Sequence, residues 1–298
     1  MKIDLKTFLT LLFLGFVWGS AFILMKKGLV AFSPLQLASL RLVFAGSVAV
    51  FFFVKLYKGL KTKDWLFLAI SGILGNLIPA YLFASAGKQI PSSLSGALNA
   101  LTPIFALIFG VLLFKIPFKN KQIIGIFVGL IGALLLIFSK DIYNYIFHNP
   151  NENLSLKAEY LWPCGKVILA AVLYGMNVNI IKSKLGHLSA YSNSMVPLTF
   201  IAIPAFVIGM ANNTYQTAIE PGSAIPLLFI IILGVLGSAV SLIVFNKLVK
   251  QTSALFAASV TYLIPFFAFM WGVIDGESIG LVHFAGMGLI LGGITLTR

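Results

Sequence analysis

Asn99 lies four residues after Ser95 and three before Thr102, inside an otherwise apolar run, "GALNALTPIFALIFG". At helical spacing the three side chains share one face. An amide flanked by two hydroxyls can both donate to and accept from a bound solute. Similar groups interrupt the other apolar runs: Asn76, on one helical face with Gly72 and Phe83; Tyr174 with Asn177; Ser238 with Ser241; and Tyr262 close to Ser259 and Thr261. Trp18, Ser20 and Tyr81 complete the inward candidates. Amides, hydroxyls and aromatic rings suit the reversible binding of a modestly polar or zwitterionic solute in a cavity. The competing reading is interhelical hydrogen bonding, and for any single Ser or Thr it is the favoured one. No HExxH, GxSxG or paired carboxylates occur in these runs, so the convergent set of an enzyme is not expected. The one cysteine, Cys164, excludes an internal disulfide and any CxxC site, and no metal or cofactor is expected.

Two basic residues, Arg41 and Lys166, fall inside apolar runs, each about two turns from the outer end. Their long stems allow them to snorkel to the headgroups, which is the default expectation. The sharper one is contact with an anionic group such as a substrate carboxylate. Lys26, at a run's end, is a candidate for an outer vestibule. Asp64, Glu159, Asp275 and Glu277 all lie at or beyond run ends, and His283 lies near one. Proton relays use buried acids or histidines, so facilitated flux or exchange stands beside proton antiport. Pro79, Pro103, Pro197 and Pro265 fall within runs. Each removes a backbone donor and frees the carbonyl four residues earlier, so Pro79, Pro103 and Pro265 are candidate kinks or gating points.

The elements that must position these groups follow from composition. With 59% hydrophobic and 10% charged residues, the main solvent of this chain is lipid. About 20 apolar residues cross the hydrocarbon as a helix, and ten such spans are expected, at 7–27, 35–56, 64–86, 92–114, 121–139, 158–181, 189–210, 224–248, 252–273 and 279–296. The net charge of +13 sits in short clusters between spans rather than in a nucleic-acid-binding stripe; the bilayer and a small-molecule solute are the expected partners. Of 21 basic residues, fourteen fall on the side of the N-terminus and five, Lys26, Lys27, Lys88, Lys140 and Lys157, on the other. That bias predicts a multi-pass protein of the cytoplasmic membrane with both termini inside.

The chain also repeats itself. "KQIPSSLSGALNALTPIFALIFG" from Lys88 returns as "KQTSALFAASVTYLIPFFAFMWG" from Lys250, and "GILGNLIPAYLFASAGK" from Gly72 as "GVLGSAVSLIVFNKLVK" from Gly234. "VWGSAFILMKK" from Val17 pairs with "LYGMNVNIIKS" from Leu173, so that Trp18 meets Tyr174 and Lys26 meets Lys182. The predicted organisation is a five-helix repeat over 1–140, an outer linker over 141–157 and a second repeat over 158–298. Five is odd, so the second unit enters the membrane inverted, an arrangement suited to alternating access. The fifth and tenth spans each carry a GxxxG, Gly125/Gly129 and Gly288/Gly292, which permits close contact within the chain or a homodimer.

"FVWGSAFILMKKGLVAFSPLQLASLRL" and the two P-x-F-A-x3-G segments resemble the EamA family of the drug/metabolite transporter superfamily. The resemblance covers essentially the whole chain. It implies a ten-helix inner-membrane carrier, often an exporter of amino acids or other small metabolites. Drugs and nucleotide-linked metabolites are alternative cargoes, and a channel or a non-transporting scaffold are further readings. The family often carries Gly-Glu after the fourth span; here Gly276–Glu277 follows the ninth, and "FKIPFK" from Phe114 lacks the acid.

Overall fold

A chain in hydrocarbon must satisfy its backbone N–H and C=O groups within its own segments, and a helix does so. The computed structural model describes residues 5–115, 120–139, 142, 160–252, 257–277 and 279–296, without the side chains of residues 54, 58, 259 and 294. Among them every regular element is helical. Of the expected 141–157 linker, only residue 142 is described.

The apolar helices are α1 (Leu5–Gly28), α2 (Pro34–Leu56), α3 (Thr62–Gly87), α4 (Ser92–Phe114) and α5 (Asn120–Ile137), then α6 (Leu161–Lys184), α7 (Ala190–Ala211), α8 (Ala224–Gln251), α9 (Leu263–Ile274) and α10 (Leu281–Leu296). Among the described residues eight helices, α1 to α8, are long and apolar enough to cross a membrane, and shorter apolar helices stand in the ninth and tenth positions. The ninth expected span, 252–273, includes residues 253–256, which lie outside the described residues; a 3-10 turn, Ser259–Tyr262, leads directly into α9.

The two halves start their second helices alike. Ser33 caps α2, accepting from the Gln36 backbone N–H at 3.3 Å while the Ser33 N–H donates to Gln36 Oε1 at 2.8 Å. Ser189 caps α7, accepting from the Ser192 N–H at 2.9 Å. Each hydroxyl satisfies one of the donors that a helix start leaves without a partner.

Packing follows the same correspondence. The largest contacts pair α2 with α7, α5 with α10, α4 with α6, α1 with α9, α3 with α6 and α1 with α8. Exchanging each helix for its counterpart five places on leaves this set unchanged. Small residues set the closest approaches. A Cβ at Gly19 of α1 would lie 2.9 Å from the Ile264 carbonyl, and one at Gly175 of α6 would lie 2.7 Å from Phe105 Cβ of α4. Without a hydrophobic force between helices in lipid, such close backbone approach is a main source of association.

The α5–α10 contact corrects the GxxxG expectation in part. It lies within the chain, and in α10 it is made by Gly286 and Gly293. A Cβ added at Gly288 or Gly292 would meet nothing within 4 Å beyond its own helix among the described residues. A Cβ at Gly132 would stand 2.6 Å from the Gly286 carbonyl oxygen and 2.8 Å from the Ile290 nitrogen. The i, i+7 spacing of Gly286 and Gly293 puts them, not the GxxxG pair, on the face toward α5. Gly132→Leu is therefore expected to lower the melting temperature of the detergent-purified protein, because overpacking costs about 1–3 kcal/mol. Gly288→Ala is expected to leave it unchanged or slightly raised, since Ala is the better helix former. Equal losses for both variants in a thermal melt would contradict this packing.

Candidate functional site

Between the halves lies a cavity of about 120 Å³. From the first half come Trp18 and Phe22 on α1, Arg41 on α2, Asn76 and Phe83 on α3, and Asn99 and Thr102 on α4. The second half supplies Tyr174 and Asn177 on α6, Ser238 and Phe245 on α8, and Thr261 ahead of α9. Among the described residues the polar groups of this lining are neutral except for one guanidinium, and the wall between them is aromatic and aliphatic.

The lining is set by breaks in the helices. In α4 the backbone tightens at Ala100 and Leu101, whose N–H groups bond three residues back at 3.1 Å each. Pro103 has no N–H to offer the Asn99 carbonyl. The Thr102 hydroxyl takes that carbonyl instead, at 2.8 Å. Pro265 sits in the same register of the repeat, and there the 3-10 turn Ser259–Tyr262 precedes α9. The third helix of each half holds a π-helical turn, Ile73–Leu77 in α3 and Val235–Val240 in α8. The π-turn is rare and occurs frequently at functional sites. Pro79 follows the first turn. No proline follows the second, whose carbonyls at Leu233 and Leu236 receive the Ser238 and Ser241 hydroxyls at 3.4 and 2.5 Å.

Contacts across the halves hold the walls. The Trp18 indole N–H donates to the Gly237 carbonyl at 3.1 Å, and its ring lies 5.2 Å from that of Phe245. Phe83 stacks on Tyr174 across the halves at 5.9 Å and, within the first half, meets Phe22 edge-on at 5.6 Å. These aromatic pairs are worth about 0.5–1.5 kcal/mol each beyond burial. Arg41 Nε donates to Ser238 Oγ at 3.1 Å. The snorkelling expectation for Arg41 is corrected: a hydroxyl on the π-turn of α8 lies within its reach, and the guanidinium forms part of the cavity wall.

Of the residues singled out from sequence, the cavity gathers Trp18, Asn76, Asn99, Thr102, Tyr174, Asn177, Ser238, Thr261 and Arg41. The others are placed elsewhere. Ser20 donates to the Phe16 carbonyl and accepts from the Trp271 indole, both at 2.7 Å. The Tyr81 hydroxyl shares a 2.9 Å hydrogen bond with Ser39, Ser241 closes the π-turn, and Tyr262 is not part of the wall. Lys166 donates to Ser85 Oγ at 2.7 Å and lies over the Trp162 ring. The sequence reading did not select Phe22 or the Gly237 carbonyl. It aligned Phe83 with Phe245 without making either a wall, and that repeated aromatic was the available signal.

A second cluster closes the end of the bundle where α1 finishes and α4 begins. Glu277 Oε1 accepts from the Ser92 N–H and hydroxyl, both at 2.8 Å, and from Lys26 Nζ at 3.0 Å. Its Oε2 accepts from the Ser93 N–H at 3.1 Å and hydroxyl at 2.5 Å. Asp275 pairs with Lys26 at 2.6 Å and with Lys27. Lys26, a vestibule candidate by sequence, is thus held in ion pairs. Burial pushes the Glu277 carboxyl up, but hydrogen bonds from Ser93, Ser92 and Lys26 outweigh it and hold the pKa below its usual value. Hydrogen bonds from Lys26 and then Lys27 do the same for Asp275. Carboxylates with depressed pKa values stabilise the folded state fully above the ordinary carboxylate range and lose that effect as pH falls below it. Glu277→Gln is expected to lower the melting temperature near pH 7, and the gap to the wild type should narrow as the pH is taken down to about 4 and below. A gap that stays constant across that range would remove the charge from the account.

The model of the EamA-like transporter family matches residues 5–138 and again residues 161–298. The "Uncharacterized inner membrane transporter YedA" of Escherichia coli (strain K12) is 24% identical, covering 98% of this chain and 90% of that protein. The "Probable amino-acid metabolite efflux pump" of Salmonella typhimurium (strain LT2) is 30% identical over 51% of this chain and 49% of its own. A crystal structure of 16% sequence identity superposes with a TM-score of 0.64 over 97% of this chain and 94% of its own, a likeness of fold alone. The two family matches together take in nearly all of the chain, which belongs to the EamA-like transporter family.

Proposed function

We propose that this protein is a secondary carrier that moves small, modestly polar metabolites, amino acids or related solutes, out of the cell across the inner membrane. The proposed mechanism is alternating access between two inverted five-helix halves, residues 1–140 and 158–298, with ten spans and both termini cytoplasmic. The observation that carries this is the cavity itself, walled by both halves at the points where their helices break. Irregular backbone at membrane depth is tolerated where it lines such a cavity. Further support comes from the double family match, from a helix pairing that survives exchange of the halves, and from a relative named as an amino-acid metabolite efflux pump. The inner-membrane assignment is supported by the relative named as an inner membrane transporter.

Liposomes holding purified protein and preloaded with a panel of amino acids and related metabolites test the proposal. Efflux is expected to saturate with internal concentration and to fall about tenfold in Asn99→Ala, the loss of one well-placed hydrogen bond to a charged group. Efflux that rises linearly without saturation would indicate a channel. If no panel member moves, the cargo reading fails. An imposed pH gradient separates uncoupled flux, which ignores it, from proton antiport.

A further inference from the structure

We infer that Arg41 is the group that selects the cargo, and that the cargo presents a carboxylate to it. The inference rests on the carrier reading above and narrows its substrate class. A guanidinium has five N–H donors and no way to lose its charge. Among the described residues only Nε has a partner, Ser238 Oγ at 3.1 Å. The four N–H groups of the two terminal nitrogens have none, on a side chain that forms part of the cavity wall.

No carboxylate among the described residues lies within ion-pair distance of Arg41. Asp275 and Glu277 are taken by Lys26 and Lys27, Asp64 is paired with His187 at 3.0 Å, and Glu220 is exposed. The other cation within the spans, Lys166, is drawn away to Ser85. The cavity therefore presents one fixed positive charge and no fixed negative charge from the described residues. A cation held at membrane depth without a counter-charge is costly, and residues kept under that cost mark substrate paths. The planar fork of arginine matches a carboxylate with two parallel hydrogen bonds. Ser238 fixes the Nε edge from the π-turn of α8, so the fork is oriented by one half and carried by the other.

A site built this way rejects analogues that lack the charged group, because its donors are then left without partners. An amine cargo would in addition meet a like charge. The aromatic walls of Trp18, Phe83, Tyr174 and Phe245 accommodate the apolar body attached to the carboxylate.

The test loads proteoliposomes with an equimolar mixture of the twenty amino acids, their primary amides and their decarboxylated amines, and follows efflux by mass spectrometry. The same compounds are used singly in thermal melts of the detergent-purified protein. Wild type, Arg41→Lys and Arg41→Gln are compared. We expect only carboxylate-bearing compounds to leave faster than from protein-free vesicles and to raise the melting temperature. Arg41→Gln should lose the melting shift and slow efflux roughly tenfold to a hundredfold, and Arg41→Lys should retain part of both. If Arg41→Gln does not fold, the wild-type selectivity and Arg41→Lys decide. Amides or amines moving as fast as the acids would overturn the inference and leave the carrier standing. Arg41-dependent melting shifts without efflux would keep the site and overturn the carrier reading. Absence of both shift and efflux would overturn the two together.

Discussion

A carbonyl released from a helix inside hydrocarbon has no water to turn to, and at the breaks in α4 and α8 another group takes up such an oxygen. The Thr102 hydroxyl reaches the carbonyl that Pro103 leaves at Asn99. The Trp18 indole takes the Gly237 carbonyl within the second π-turn, and Ser238 and Ser241 take those of Leu233 and Leu236. The residues that repair the backbone are also, for the most part, residues that line the cavity. At Thr102, Trp18 and Ser238 the groups that repair the helix and the groups that face the cavity are the same.

The same economy governs how the halves meet. Gly19 against Phe267 and Gly175 against Phe105 are counterpart contacts, one from each half. Gly46 of α2 lies against Ala202 of α7. Close backbone approach at these points leaves no room for the larger side chains on which a soluble core would depend. Trp18, Phe22, Phe83, Tyr174 and Phe245 line the cavity instead.

Eight of the ten expected spans return as helices long and apolar enough to cross a membrane among the described residues, because lipid imposes a length and a composition that few other environments demand. Counterpart motifs remain alignable, and the family model matches the chain twice. The sequence also indicated which amides to watch: Asn76, Asn99 and Asn177 all reach the cavity, as the cost of burying an amide in lipid suggests. Hydroxyls were less readable. Ser20 and Ser241 bond to carbonyls four and five residues back on their own helices, a satisfaction no pattern of spacing reveals. The contrast between Arg41 and Lys166 was not readable at all. Their positions in the spans look equivalent, and what separates them is whether Ser238 or Ser85 lies within reach, which tertiary packing alone decides. The π-turns left only the aligned Gly75–Asn76 and Gly237–Ser238 pairs as a trace.

Lys26 and Lys182 occupy equivalent places in the two repeats, yet they hold different partners. Lys26 binds two carboxylates where α4 begins. Lys182 donates to the backbone carbonyls of Val249 and Thr252, at 3.1 and 2.9 Å, at the end of α8. Leu248 and Val249 of that end share one apolar cluster with Leu11 and Leu14, toward the start of α1 and away from Lys26. Lys26 is thus fastened by opposite charges and Lys182 by backbone dipoles, with the Asp64–His187 pair on the latter side. Dissolved ions weaken the first fastening more than the second, so ionic strength acts as a thumb on one pan of the balance between the two lysines. A duplicated chain that began symmetric has in this way acquired a front and a back.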